Sequence, residues 1–317
     1  MDIETQRRNP QAPQKVWVAG HSGMLGSALV RRLTREAVNV ITVERQEVDL
    51  EDQSAVLGWL RATKPSEIYV AAAKVGGIVA NRDLPAEFIY RNLMIATNII
   101  NAARETDVDK LVHVASSAIY PRNAPQPIVE DALMTGPIDS EHLPYAVAKI
   151  AGITMCQAYR RQYGCNFISA APTNIYGPGD DFDLTSGHVV PAIIRKVHEA
   201  KLADAPQITV WGTGKPMREF LHVDDVADAL VFLMKTYSDE EHVNVGCGEE
   251  ISILDLTRMV CETVEYEGKI VQDISKPDGM ARKLMNSAKL QSLGWAPKIG
   301  IREGIKQTYD WYRGTLQ

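Results

Sequence analysis

The chain has 317 residues, 45% of them hydrophobic and 23% charged, which is the composition of a folded globular protein with room for one large or two smaller domains. Its 34 lysines and arginines against 40 aspartates and glutamates leave a net charge of -6, without the broad cationic surface that a nucleic-acid backbone demands. Disorder, fibre formation and nucleic-acid binding are therefore excluded as leading readings.

Residues 1–14 are polar, carry Arg7, Arg8, Pro10 and Pro13, lack the apolar stretch of a secretory signal and read as a disordered tail. Residues 15–19 form a short β-rich run that leads into Gly20, His21, Ser22, Gly23, Met24, Leu25 and Gly26, and a helical period follows over 27–33. A second strand-like run, 39–43, ends at Glu44 and Arg45. Further runs lie at 68–73, 111–115 and 167–171, separated by helical patterns such as 85–103. Strands alternating with helices predict an α/β fold, a Rossmann-type doubly wound parallel sheet. After Pro172 the texture changes to glycine and proline punctuation around Gly177, Pro178 and Gly179, a polar loop and a helical pattern at 189–200. The expected division is a dinucleotide-binding domain at 15–175 and a smaller α/β substrate domain mainly within 176–317. The segments 208–211, 223–234 and 243–246 can belong to either lobe. No apolar run approaches the ~18–20 residues of a membrane span. The cysteines Cys156, Cys165, Cys247 and Cys261 have no metal-site spacing. Reduced thiols, no metal and a cytoplasmic location are expected.

A glycine turn between a strand and a helix has a physical purpose. Gly20 permits the tight turn, Gly23 lets backbone N–H groups approach a pyrophosphate, and Gly26 allows close packing of helix on strand. The expected ligand is a dinucleotide. Glu44 would accept a hydrogen bond from the 2′-hydroxyl of NAD, whereas Arg45 would pair with the 2′-phosphate of NADP; the reading favours NADP(H). Asp49, with Leu50, is either a reader of the adenine edge or a solvated loop acid.

Tyr145 and Lys149 stand four apart at the start of a helical pattern, which puts both on one face. A phenol is a poor acid near neutral pH, and a cation beside it is expected to bring its pKa toward the working range. Ser116 follows the strand-like run 111–115 and would lie at the carboxyl edge of the sheet, where its hydroxyl can hold the same carbonyl oxygen. A tyrosine and lysine at this spacing are common on ordinary helices; their position after the glycine turn and the serine strand gives them weight.

These features in this order resemble the extended short-chain dehydrogenase/reductase family. The stretches 71–79 (AAAKVGGIV), 148–152 (AKIAG), 172–178 (PTNIYGP), 216–225 (PMREFLHVDD) and 275–279 (SKPDG), with Arg282, Lys283 and Leu284, are similar to its branch that converts GDP-4-keto-6-deoxy-D-mannose to GDP-L-fucose. The resemblance implies an NADPH-dependent oxidoreductase and isomerase that inverts carbons 3 and 5 and reduces the ketone at carbon 4. It implies Tyr145 as proton donor, Lys149 as its electrostatic partner and ribose holder, Ser116 on the carbonyl, and His188 as the acid of the inversion. It adds Ala71, Ala72, Pro172, Thr173, Asn174, Ile175 and His188 to the cofactor site. The GDP-sugar would be held by Ser116, Ser117, Val189, Ile193, Lys196, Trp211, Arg218, Asp278 and Lys283, with core packing as the alternative for Trp211. A homodimer joined through the apolar face of 88–100 and the helix continuing from Lys149 is expected.

Three positions depart from that pattern. Ala118 replaces the cysteine that acts as base, so either another group substitutes or inversion is stalled. Ser22 stands where an arginine is usual, which clouds the choice of NADP. Lys196 replaces an arginine and keeps charge without bidentate geometry. The competing readings are a 4-reductase on the same GDP-keto sugar without inversion, a nucleotide-sugar 4-epimerase, and a non-catalytic dinucleotide sensor.

Overall fold

The computed structural model describes residues 14–184, 187–276 and 278–316. The expected tail lies outside the described residues except for Gln14, whose carbonyl accepts a hydrogen bond from Asn39 N at 2.8 Å and which is therefore part of the sheet edge.

The first half runs β1 (Lys15–Ala19), α1 (Met24–Leu33), β2 (Asn39–Ile41), α2 (Gln53–Thr63), β3 (Glu67–Val70), α3 (Ile78–Asp83), α4 (Pro85–Glu105), β4 (Lys110–Val114), α5 (Leu143–Tyr163) and β5 (Phe167–Pro172). The second runs β6 (Asn174–Tyr176), α6 (Val189–Leu202), β7 (Gln207–Trp211), β8 (Met217–Arg218), β9 (Phe220–His222), α7 (Val223–Thr236), β10 (Val243–Val245), β11 (Ile251–Ser252), α8 (Ile253–Val264), β12 (Lys269–Asp273), β13 (Arg282–Lys283), α9 (Ala288–Ser292) and α10 (Ile301–Thr315).

Six strands form one parallel sheet in the order β2-β1-β3-β4-β5-β10. The continuous apolar run of β1 is explained by burial on both faces. Val16 and Val18 face Leu25 and Leu29 of α1 and Val226 and Leu230 of α7, while Trp17 and Ala19 face Val56 and Leu60 of α2 and Ile95 and Ile99 of α4. The chain leaves β1 to one side for β2 and returns on the other for β3. The carboxyl ends of β1 and β3 therefore flank a topological switch point, the natural ligand crevice of such a sheet.

One expectation is corrected here. Phe88, Ile95, Ala96, Ile99 and Ile100 of α4 are buried within the chain itself, mostly against the sheet, so these side chains are not free to join a second subunit, although Tyr90 of the same helix is exposed.

The second half divides its segments between two cores. Strand β10 and helix α7, which packs on α1, join the sheet just described. The stretch 207–211 instead becomes β7, paired in parallel with β12 and covered by α6, α8 and α10 through Ile194, Val197, Val260, Val264, Ile305 and Tyr309. The short strands β11, β8 and β13 make a small sheet beside the crevice. Among the described residues no helix is long and apolar enough to cross a membrane, and the four cysteines are free thiols.

Candidate active site

The glycine turn closes over the end of β3. Gly20 has φ of +86°, and a Cβ there would lie 2.5 Å from Ala72 Cα; a Cβ on Gly26 would strike Gly20 O at 1.9 Å. Both glycines are required by the fold. Gly23 is different, because its Cβ would meet only Gly20 O, at an ordinary 3.5 Å. Gly23 precedes α1, with no side chain capping the helix and no acid in its first turn, so the free N–H groups and positive dipole end face the crevice. The absence of a side chain at Gly23 suits close approach of a pyrophosphate rather than packing of the protein. Opposite the turn, the loop after β3 is pinned by Asn92 of α4, whose side chain accepts from Lys74 N and donates to Lys74 O, each at 3.0 Å.

At the ribose end the two candidate readers separate. Glu44 is turned to His21, with Oε1 3.1 Å from Nε2, and lies off the cleft wall. Arg45 lies on the wall, an exposed guanidinium 3.2 Å from Glu51, which Arg91 also holds at 2.8 Å. The free cationic edge therefore belongs to Arg45, which fits a 2′-phosphate. Asp49 accepts from Glu51 N at 3.0 Å and shapes the same loop.

Ser116 ends the run after β4, and its hydroxyl accepts from Ala118 N at 3.2 Å as the chain enters a short 3₁₀ turn. Helix α5, with Pro144 in its first turn and left-handed Gly164 at its end, presents Tyr145 and Lys149 on the same wall. The expected electrostatic activation of Tyr145 is corrected. Desolvation pushes its phenol up to about 12 against the pull of the Ser116 hydroxyl. The Lys149 ammonium sits 5.7 Å from the Tyr145 ring centroid and donates to Val114 O at 2.8 Å. Burial lowers Lys149 to about 8.

The second lobe supplies the facing wall. His188 immediately precedes α6, and its Nδ1 lies 3.5 Å from the buried carboxylate of Asp180, which raises the imidazole pKa. Val189, Ile193 and Lys196 recur at helical spacing on the cleft side of α6, and Lys196 Nζ donates to Thr209 O at 2.9 Å. Strands β8 and β13 pair in parallel with Lys283 directly beside Arg218. Like charges on neighbouring strands are destabilising. Arg218 depresses the Lys283 ammonium further than burial alone, to about 8, and no carboxylate forms an ion pair with either residue among the described residues. This is a site prepared for an anion. Trp211 is 63% exposed, which removes the core-packing alternative. Asp278 has both carboxylate oxygens on Thr213, at 2.8 Å and 2.7 Å, and so holds the loop after β7.

Apart from Glu44, the candidate site residues read from the sequence lie on one continuous cleft of about 1160 Å³ between the lobes: the turn from Gly20 to Gly26, Arg45, Asp49, Leu50, Ala71 and Ala72, Ser116 and Ser117, Tyr145, Lys149, Pro172 to Ile175, His188, Val189, Ile193, Lys196, Trp211, Arg218, Asp278 and Lys283.

Residues 16–246 match the model of the NAD dependent epimerase/dehydratase family. The chain is 53% identical over 297 residues to a GDP-L-fucose synthase of Sinorhizobium fredii, covering 94% of this chain and 95% of that one. The chain belongs to the NAD dependent epimerase/dehydratase family. Among solved structures it is similar to a GDP-6-OMe-4-keto-L-xylo-heptose reductase from C. jejuni, with a TM-score of 0.90, 35% identity and 96% and 98% coverage. It is also similar to a GDP-L-fucose synthetase from Naegleria fowleri bound to NADP, with a TM-score of 0.88, 26% identity and 96% and 95% coverage.

Several residues of this family member's cleft were not foreseen: Glu51, Lys74, Arg91, Asp139, Glu141 and His142 line it, and Asp180 stands behind His188. Most are single polar residues in loops without motif spacing. Asp180 had a signal, since it follows the turn Gly177, Pro178 and Gly179, but its pairing with His188 depends on the path of the loop between them.

Proposed function

We propose that the chain converts GDP-4-keto-6-deoxy-D-mannose to GDP-L-fucose, inverting carbons 3 and 5 and reducing carbon 4 with NADPH. The observation that carries this reading is the single cleft in which the glycine turn and Arg45, the Ser116, Tyr145 and Lys149 group, and the adjacent cations Arg218 and Lys283 follow one another. These are the recognition elements for a dinucleotide phosphate, a carbonyl and a diphosphate, in that order. The relative in Sinorhizobium fredii, nearly equal in length, bears that function in its name.

The glycine turn and the start of α1 would hold the pyrophosphate of NADPH, and Arg45 its 2′-phosphate. The bound nicotinamide supplies the hydride for carbon 4. Ser116 donates to the carbonyl oxygen and orients the ketone. Tyr145, protonated because its surroundings disfavour the phenolate, gives its proton to that oxygen as the alkoxide forms. Lys149, cationic below about pH 8, stabilises the negative charge that builds there and would hold the nicotinamide ribose. The ketone also acidifies the hydrogens on carbons 3 and 5, so the same hydrogen bonds that assist reduction stabilise the enolate through which each centre inverts. His188, whose charged form Asp180 favours, is the acid of that inversion.

The reading is tested by mixing protein, NADPH and GDP-4-keto-6-deoxy-D-mannose and following NADPH absorbance with product identification. Consumption with formation of GDP-L-fucose is expected, and absence of consumption would return the chain to a binding role. A specific observation favours a second reading, reduction without inversion: Ala118 brings no titratable group to the sheet edge beside Ser116. A cytoplasmic homodimer is part of the proposal. Exposed Tyr90 on α4 and exposed Leu143 and Val147 on α5 support a contact, and light scattering at twice the chain mass is the expected result.

A further inference from the structure

Inverting a carbon beside a keto group takes one group that removes a proton and another that returns it to the opposite face. Besides His21 at the ribose end, two histidines line the cleft among the described residues, His188 and His142. They are built alike. Each is the residue before the first turn of a long helix, His142 ahead of α5 and His188 ahead of α6, and neither spends its side chain on capping. Each turns Nδ1 toward an aspartate, His142 to Asp139 at 3.7 Å and His188 to Asp180 at 3.5 Å. Asp139 is itself braced, since it accepts from Glu141 N at 3.1 Å and faces Arg122 at 4.0 Å. The two helices belong to different lobes, α5 packed on β4 and β5 and α6 packed on α8. A sugar between the lobes meets one imidazole from each wall.

We propose that His142, three residues ahead of Tyr145 on the same cleft wall, is the base of the inversion and that His188 is its partner acid. The proposal deepens the function given above and rests on it. His142 Nε2 takes the proton from carbon 3, and the electron pair of that bond moves to the carbonyl oxygen as an enolate held by Ser116 and Tyr145. As the carbonyl re-forms, carbon 3 takes a proton from His188 on its other face. His142 gains the charge that His188 loses, both exchange with water through the open cleft, and the cycle repeats at carbon 5. No oxidant or reductant is consumed.

The surroundings drive the two rings apart in the required sense. The Asp180 carboxylate raises His188, whereas burial and the nearby Lys283 lower His142 against the opposing pull of Asp139 and Glu141. These opposite shifts favour the extra proton on His188 and a free lone pair on His142. Asp139 at Nδ1 favours the tautomer that leaves Nε2 unprotonated.

The test measures deuterium incorporated at carbons 3 and 5 per NADPH oxidised, with GDP-4-keto-6-deoxy-D-mannose in deuterated water, for the parent and for H142N. H142N is expected to lower this ratio by ~10²–10⁴-fold, and D139N, which frees the ring without removing it, by less. If H142N does not fold, H142Q reads the same ratio. A parent that incorporates deuterium and a folded His142 variant that does so at the same ratio would overturn the assignment of His142 while leaving the proposed function standing. A parent product without deuterium would overturn the inversion itself, and this proposal with it.

Discussion

Desolvation pushes the Tyr145 phenol up to about 12, which favours its protonated form, and reduction of a ketone consumes a proton at the position this hydroxyl would occupy. Tyr145→Phe removes the donor and is expected to slow NADPH oxidation by ~10²–10⁴-fold in steady-state assays; a variant running at the parental rate would remove Tyr145 from the chemistry. Lys149 shows the cost of such a site. Burial lowers its ammonium from the ordinary 10.5 to about 8, so between those values the folded chain binds fewer protons than the unfolded chain. The buried charge therefore costs roughly 3 kcal/mol at neutral pH, and the cost fades as pH rises from 8 to 10.5. Lys149→Met, which keeps the stem and discards the charge, is expected to melt higher than the parent at pH 7, with the gap closing by pH 10, and to lose turnover. A lower melting temperature at pH 7 would mean that the ammonium stabilises the fold. The residue types of this group were legible from the order of glycine turn, serine strand and tyrosine with lysine. The direction of the Tyr145 shift was not, because it depends on how the cleft desolvates the phenol and on Lys149 being engaged by Val114 O.

The strand, turn and helix formed by β1, residues 20–23 and α1 separate what the fold needs from what a ligand needs. Gly20→Ala places a methyl against the backbone of Ala72 in a left-handed conformation and is expected to destabilise by roughly 2–5 kcal/mol in denaturant unfolding. Gly23→Ala meets no such obstacle and should cost at most ~1 kcal/mol, yet weaken NADPH binding by roughly tenfold or more. Equal loss of stability in both variants would contradict this division. At this scale the sequence was informative wherever one element carries its own periodicity and punctuation, as β1, α1, α4 and α5 do. It misled for the apolar face of α4, because periodicity announces burial without naming the partner, and that partner is mainly the chain's own sheet. The two-residue strands β8 and β13 carry no local signal at all. Their pairing, which sets Lys283 beside Arg218, is a contact between distant segments.

The whole molecule is a parallel sheet whose crevice is completed by a second core, with the chain crossing back through α7 and β10 to close the first. A ligand that bridges such a cleft stabilises the folded state by mass action. NADPH at a hundredfold excess over its dissociation constant should add ~2.7 kcal/mol, read as a rise of several degrees in melting temperature. NADH at the same concentration should add less, and Arg45→Ala should erase the difference. Equal shifts by both cofactors on the parent would contradict the assignment of Arg45 to the 2′-phosphate. Most of the cleft's membership was legible in the sequence, whereas Asp139 and His142 on its wall and Asp180 behind His188 were not, since each gains meaning only from a neighbour brought close by the loops.

NMR of the product formed from GDP-4-keto-6-deoxy-D-mannose and NADPH in deuterated water reads inversion and reduction together. GDP-L-fucose carrying deuterium at carbons 3 and 5 is expected. An undeuterated product that keeps the D configuration would contradict the proposed conversion.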